Sequence, residues 1–431
     1  MFPRRPSAPQ SFYFVRRSST FSQGLPGLKI NADRLQETIH HTCQWGAAHR
    51  YGRGPNETGM ARLTLSDEDA AARRWFIEET QRLGCDVKVD QMGNIFARKR
   101  GSLGSKLPMT AMGSHLDTQP QGGRYDGILG VVAGIEALRT MKENGYQSKF
   151  DIGVINWTNE EGARFPGTTV SSKVWAGDIP IQSAWDLRDV SDPFITMKSE
   201  LERHGYLGPL LESRGRKIGV VRGAQACRWL TFTVVGRTAH SGTTPYSARK
   251  DPLLAAAKMI ATSNELAQKS GAFVTTGIIK VPPGSSINAV ASQATFTLDI
   301  RHPDDKTICE IQEQCLASFQ EISRENGVEL SWSIDVDSPA TTFDEDCVWA
   351  VETAANGIVG HDGWLSMTSG ATHDSVNTSK HCPTTMIFVP CKDGISHHPE
   401  EYCSPEDCAL GAQTLLDSVI IYDNRRLANL Q

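Results

Sequence analysis

A chain of 431 residues, 39% hydrophobic and 22% charged, is long enough for more than one core, and two domains are the ordinary outcome at this length. A net charge of −5 and a pI near 6.2 supply no general basic field for nucleic acid or an anionic membrane, and no uninterrupted apolar run is long enough to span a bilayer. Ten scattered cysteines, none in a Cys-x-x-Cys pair, read as reduced thiols in a reducing compartment.

Residues 1–30 carry Arg4, Arg5, Arg16, Arg17 and Lys29, several serines and no acid, since the first acid is Asp33. That is the composition of a mitochondrial transit peptide, and equally of a disordered tail or a misplaced start. The expected location is cytoplasmic, or mitochondrial if this segment targets. From residue 33 to 160, helix and strand signals alternate. Ser66 with Asp67, Glu68 and Asp69 predicts a capped helix running to Gly84. Short strands follow at Val87–Val89 and Ile95–Ala97, around the turn at Gly93-Asn94. Leu107–Met112 leads into Gly113-Ser114-His115, then come a helix over Ile128–Asn144 and a buried strand over Ile152–Thr158. Such alternation implies an α/β sheet.

Residues 222–336 have another rhythm. Strands are predicted at Arg228–Val235, Phe273–Val281, Ala294–Ile300 and Glu329–Val336, with helices at Ala248–Lys269 and Asp305–Asn326. The order β-α-β-β-α-β is the ferredoxin-like unit, here inserted into an α/β domain made of residues 31–221 and 337–431.

Five polar clusters carry the chemistry. Gly113-Ser114-His115-Leu116-Asp117-Thr118 and Gly122-Gly123-Arg124-Tyr125-Asp126-Gly127 place His115 at a strand end and Asp126 before a helix, with the imidazole and carboxylate that zinc favours. Asp117 is placed to orient the His115 ring. Glu160-Glu161 follow a buried strand, where one carboxylate can bind metal and the other take a proton from water. His240 stands in Ala239-His240-Ser241-Gly242. Asn288 and the strand-end Arg301 offer a grip on a substrate carboxylate. After the insertion come Gly370, His373, His397 and His398. Each cluster alone also reads as an ordinary polar loop, a structural histidine or a surface ion pair.

In this order the clusters resemble the dizinc aminoacylase/carboxypeptidase superfamily, and within it the carbamoyl-amidohydrolase branch that includes the fungal β-alanine synthases. The resemblance runs from about residue 33 to 426 and includes Asn159–Phe165, Ala239–Pro245 and Ser404–Asp407. It implies a mixed-sheet zinc-hydrolase domain with an inserted dimerisation domain. It implies two zinc ions bridged by Asp126, with Glu161 and His397 on one and His115 on the other. Glu160 is then the general base, His240 polarises the ureido carbonyl, and Asn288, Arg301, Gly370 and His373 bind a ureido acid. A homodimer is implied as well. The substrate expected first is N-carbamoyl-β-alanine; an N-carbamoyl-L-amino acid, allantoate or an acyl-amino acid or peptide suits the same machinery.

The sequence departs from the family at one decisive place. Relatives have Glu-Leu-His-Ile-Glu-Gln-Gly-Pro before the insertion, where this chain has Glu202–Pro209. Either His204 is the remaining ligand of the His115 zinc, or that segment is deleted at a junction near Gly208, leaving the ion short of a ligand and the chain a metal-impaired, non-catalytic dimer. Smaller departures follow Asn288 and fall at Thr372.

Overall fold

The computed structural model describes residues 26–104, 107–205 and 220–430. The Arg-rich residues 1–25 and the junction at Gly208 lie outside the described residues. Leu28 is already buried, and its carbonyl accepts from Gln413 Nε2 at 2.9 Å, so the packed chain starts inside the tail expected over 1–30.

One four-stranded sheet runs Asp86–Val89, Ile95–Lys99, Ile152–Trp157, Thr110–His115, and only the last pair is parallel. Ile152–Trp157 is buried at every position, as expected of a strand covered on both faces. Alternate residues go to opposite sides. Ile95, Ala97, Ile152 and Val154 join the large core with the helices Ala32–Thr42, Ile128–Glu143 and Pro405–Ala428, whereas Phe96, Ile155 and Trp157 form a smaller cluster on the other face. The predicted helix after Ser66 spans Asp67–Arg82; Ser66 accepts from Asp69 N, and Gly84 takes the left-handed conformation that ends it.

A second sheet joins Val220–Ala224 to Thr341–Thr342 and, in parallel, to Ser366–Ser369. Among the described residues no strand pairing links it to the first sheet, and Thr110–His115 pairs along one edge only.

The inserted unit builds its own sheet in the order Phe273–Thr275, Gln293–His302, Ala226–Val235, Glu329–Ser338, all antiparallel, with helices Pro252–Ser270 and Asp305–Asn326 packed on it. This is the ferredoxin-like order. Phe232, Phe296 and Phe319 meet at its centre, with Phe232 and Phe296 stacked at 5.1 Å. Two sequence-derived boundaries differ. The helix expected from Ala248 starts at Pro252, because Asp251 caps it and proline suits the first helical position. The strand expected over Phe273–Val281 is two short pieces, Phe273–Thr275 and Ile279–Lys280.

Candidate active site

Strand register brings the first groups together. Thr110–His115 and Ile152–Trp157 are parallel, with His115 opposite Trp157, so both carboxyl ends open on one side. Ligands collect at such ends. Past Trp157 the chain turns sharply. Asn159 adopts φ 57°, and its side-chain amide donates to the carbonyls of Phe165 and Gly167. That turn presents Glu160 and Glu161 beside His115.

His115 is buried. Its Nδ1 lies 2.9 Å from the main-chain carbonyl of Asp117, which makes Nδ1 the protonated nitrogen and leaves Nε2 free to bind a cation. Asp117, expected to orient the ring, does lie against Nδ1: its main-chain carbonyl makes the hydrogen bond, with its Oδ1 at 3.9 Å. The carboxylate of Asp117 instead accepts from Thr64 Oγ1 at 2.6 Å and from the N–H of Glu161 at 3.3 Å, tying the two ligand loops together. Gly127 has φ 69°, and a Cβ there would lie 2.4 Å from the His115 ring, so glycine is required both by backbone and by space.

Nε2 of His115 lies 3.7 Å from Asp126 Oδ1 and 3.6 Å from Glu160 Oε2. Nε2 of His397 lies 3.5 Å from Asp126 Oδ2 and 3.3 Å from Glu161 Oε2. Among the described residues Asp126, Glu161 and His397 form the group whose donor atoms all fall within 4.8 Å of one another. One imidazole and two carboxylates suit a divalent cation such as zinc. His397 holds its place with φ 56°, a conformation uncommon outside glycine and frequent at functional sites. Gln119 Nε2 donates to Glu161 Oε2 at 2.8 Å.

Charge crowding follows. Burial and the neighbouring Asp126 and Glu160 push the Glu161 carboxyl up, while the hydrogen bond to Asp126 and the nearby Glu161 raise His397. Burial alone would lower His115, but Glu160, Asp126 and Asp117 outweigh it and hold it well up. Asp126, between two imidazoles, is held well below the usual carboxylate range despite its burial. A site that binds protons this strongly in place of a cation is a site built for positive charge.

His204 does not join this group. It caps the helix Met197–Arg203, and its Nε2 lies 3.0 Å from the carbonyl of Leu65, with Asp67 at 3.9 Å. The ligand role expected for it is corrected, because helix geometry commits the ring to the start of the Asp67–Arg82 helix.

The substrate side is partly assembled. His373 Nδ1 lies 3.7 Å from Glu160 Oε1, and its Nε2 contacts Ser369 Oγ at 3.1 Å. Arg301 reaches across from the inserted unit: NH1 donates to the Gly370 carbonyl at 2.9 Å while Nε and NH2 grip Asp299. His240 and Asn288 form a separate pair. The strands Ala239–His240 and Ala289–Val290 are hydrogen-bonded, and Ser241 N donates to the Asn288 carbonyl. His240 Nδ1 accepts from the N–H groups of Gly242 and Thr243, so Nε2 carries the proton. Both residues are exposed, and neither hydrogen-bonds to the metal-ligand group. Sequence reasoning missed Gln119, Thr64, Ser396 and Glu401. Ser396 stood in a run already marked, directly before His397, and Gln119 lies between the two marked runs that end at Thr118 and begin at Gly122.

The family model described as peptidase family M20/M25/M40 matches residues 111–420. The chain belongs to that family. It is therefore a hydrolase of carbon–nitrogen bonds, of a kind generally dependent on metal. An N-carbamoyl-L-amino-acid amidohydrolase of Rhizobium meliloti is 35% identical over 91% of this chain and 96% of its own length. A ureidoglycolate hydrolase of Oryza sativa is 33% identical over 91% and 85%. Among solved structures, an amidase of the hydantoinase/carbamoylase family from Burkholderia vietnamiensis superposes with a TM-score of 0.80 at 33% identity, covering 92% of this chain and 98% of that one. The Rhizobium alignment runs over 414 positions, whereas 91% of 431 residues is about 392, so roughly twenty positions of that M20 relative have no counterpart here.

Proposed function

We propose that this chain hydrolyses the carbamoyl group of an N-carbamoyl amino acid to the free amino acid, carbon dioxide and ammonia, with zinc as the native metal and N-carbamoyl-β-alanine as the substrate to test first. The observation that carries the reading is the position of Glu160, which lies beside His115 on one carboxylate oxygen and beside His373 on the other. It stands between the metal ligands and the groups that face a substrate. The names of the aligned relatives support the N-carbamoyl class; the preference for β-alanine rests on the sequence resemblance.

Asp126, Glu161 and His397 would hold a divalent cation, which would supply Lewis-acid activation of water near neutral pH. Glu160 takes the proton of the attacking water and returns it to the leaving nitrogen. Arg301, held between Asp299 and the Gly370 carbonyl, binds the substrate carboxylate and with Asn288 fixes which carbonyl faces Glu160. His240, donating through Nε2–H, stabilises the charge that develops on the carbonyl oxygen. This needs closure of the inserted unit over the site. A homodimer through the open edge of the ferredoxin-like sheet, where Phe273, Ile278 and Ile279 are exposed, belongs to the same reading.

The second metal position is the weaker one in this account. His115 and Asp126 are its protein ligands among the described residues, fewer than the three usual for a catalytic zinc. The roughly twenty positions of the Rhizobium relative without a counterpart here equal in number what loss of one ligand-bearing segment would remove.

The test is a panel of N-carbamoyl-β-alanine, N-carbamoyl-L-amino acids, allantoate, ureidoglycolate and acetyl-amino acids, incubated with zinc-loaded protein and read as amine and ammonia release. Turnover confined to N-carbamoyl amino acids supports the proposal. Turnover confined to acetyl-amino acids, or none with metal bound, overturns it.

A further inference from the structure

Two loops far apart in the chain meet under the metal ligands, and one buried carboxylate joins them. Glu401 is 3% exposed. Its Oε2 accepts the main-chain N–H groups of Tyr125 and Asp126, each at 3.2 Å. Its Oε1 lies 3.1 Å from Ser396 Oγ, and the same hydroxyl donates to Asp126 Oδ2 at 2.9 Å. Ser396 directly precedes His397. The N–H of Glu401 in turn donates to the His398 carbonyl, folding the segment back on itself. At Gly123 a Cβ would lie 2.0 Å from Glu401 Oε2, so the loop before Asp126 keeps a residue without a side chain where the carboxylate passes.

We propose that Glu401 is a positioning residue for the metal centre: with Ser396 it fixes the Asp126 carboxylate relative to His397 and so sets the affinity and geometry of the cation site. The inference rests on the reading of Asp126, Glu161 and His397 as metal ligands. The physical argument is one of geometry. Asp126 and His397 come from loops with no strand pairing between them, so their separation depends on what ties the loops together. Glu401 supplies two of those ties, to the N–H groups of Tyr125 and Asp126, Ser396 supplies a third to the Asp126 carboxylate, and burial of Glu401 strengthens its own. The Ser396 hydroxyl fixes which oxygen of Asp126 turns toward His397. Groups that orient a metal ligand in this way are typically worth about 10- to 100-fold in metal affinity.

The experiment uses the full chain and cobalt(II), whose visible spectrum reports ligand geometry and needs no substrate. Wild type is compared with Glu401→Met, Glu401→Gln and Ser396→Ala, reading cobalt affinity, spectrum and thermal midpoint. Glutamine keeps one oxygen for the two N–H groups and offers its amide to Ser396, so it restores most of the binding. Expected are cobalt affinity weakened by about 10- to 100-fold with an altered spectrum in Glu401→Met, a smaller loss in Ser396→Ala, and near-wild-type behaviour in Glu401→Gln. A purely structural role would lower the thermal midpoint of Glu401→Met yet leave the affinity and spectrum of the folded protein unchanged. That result, or an unchanged Ser396→Ala if Glu401→Met does not fold, overturns the proposal. Failure of wild type itself to bind cobalt would instead overturn the ligand assignment on which it rests.

Discussion

Nε2 of His397 lies 3.3 Å from Oε2 of Glu161, so a loop that follows the inserted unit completes a donor set begun before it. The ligands therefore exist as a group only when the α/β halves on either side of the insertion are docked.

Glu160→Gln keeps the size of the side chain and removes the base. The glutamine amide can still sit between His115 and His373, and neither ring depends on the lost charge for its place. Metal content is expected to be unchanged while kcat falls by about 100- to 10,000-fold. Steady-state kinetics beside metal analysis reads both. Full activity would remove Glu160 from the role of base.

Metal binding should release protons. In the metal-free protein burial and like charge raise Glu161 to about 8, and the hydrogen bond to Asp126 helps raise His397 to about 9. Both hold protons near neutral pH, and a cation must displace them, so apparent affinity strengthens as pH rises toward about 9 and weakens below neutrality. Calorimetry in buffers of different ionisation enthalpy counts the protons released. Affinity independent of pH across that window would contradict the crowding described at the site.

If Arg301 binds the substrate carboxylate as proposed, Arg301→Ala removes a charge-assisted contact worth about 1.5–3 kcal/mol. KM is expected to rise by roughly 10- to 100-fold, with a smaller change in kcat, since the contact is present before and during the chemical step. Lysine is a poor replacement, because Arg301 donates from three nitrogens, to Asp299 and to the Gly370 carbonyl. A kcat loss with KM unchanged would place Arg301 elsewhere in the reaction.

Gly127→Ala forces a Cβ to within 2.4 Å of the His115 ring at a backbone φ of 69°. The strained backbone alone costs roughly 1–2 kcal/mol, and displacement of the ring adds to it. Chemical denaturation should show lower stability, and a cation at the His115 position should be lost first. Wild-type stability in this variant would show that the turn can relax.

Much of this was legible from residue pattern. Ser66 with its trailing acids marked a helix start, and the β-α-β-β-α-β order of the inserted unit appears as an antiparallel sheet whose second predicted strand is split in two. His115, Asp126, Glu160, Glu161 and His397 are each beside a turn or strand end that the sequence announces, and the fold brings them together. Glu401 was not legible. A glutamate in a polar run before a helix reads as solvated, and only tertiary packing on Gly123 buries it. His204 belonged to one of two readings that the sequence left open. Its spacing to Gly208-Pro209 suits a ligand, but the helix ending at Arg203 turns its ring to the Leu65 carbonyl. That Asp117 lies beside the His115 ring was legible, but which of its oxygens takes the Nδ1 proton was not, since sequence does not distinguish a side-chain acceptor from a main-chain one.

The most direct test of the account is the number of zinc ions per chain after zinc saturation and gel filtration, measured for wild type and for His397→Ala. The account predicts one tightly held ion in wild type, a second that is lost on dilution, and no tightly held ion in His397→Ala. Two equally tight ions in wild type would contradict the weak second position, and a chain that retains no zinc, or a His397→Ala variant that retains it fully, would contradict the metal centre itself.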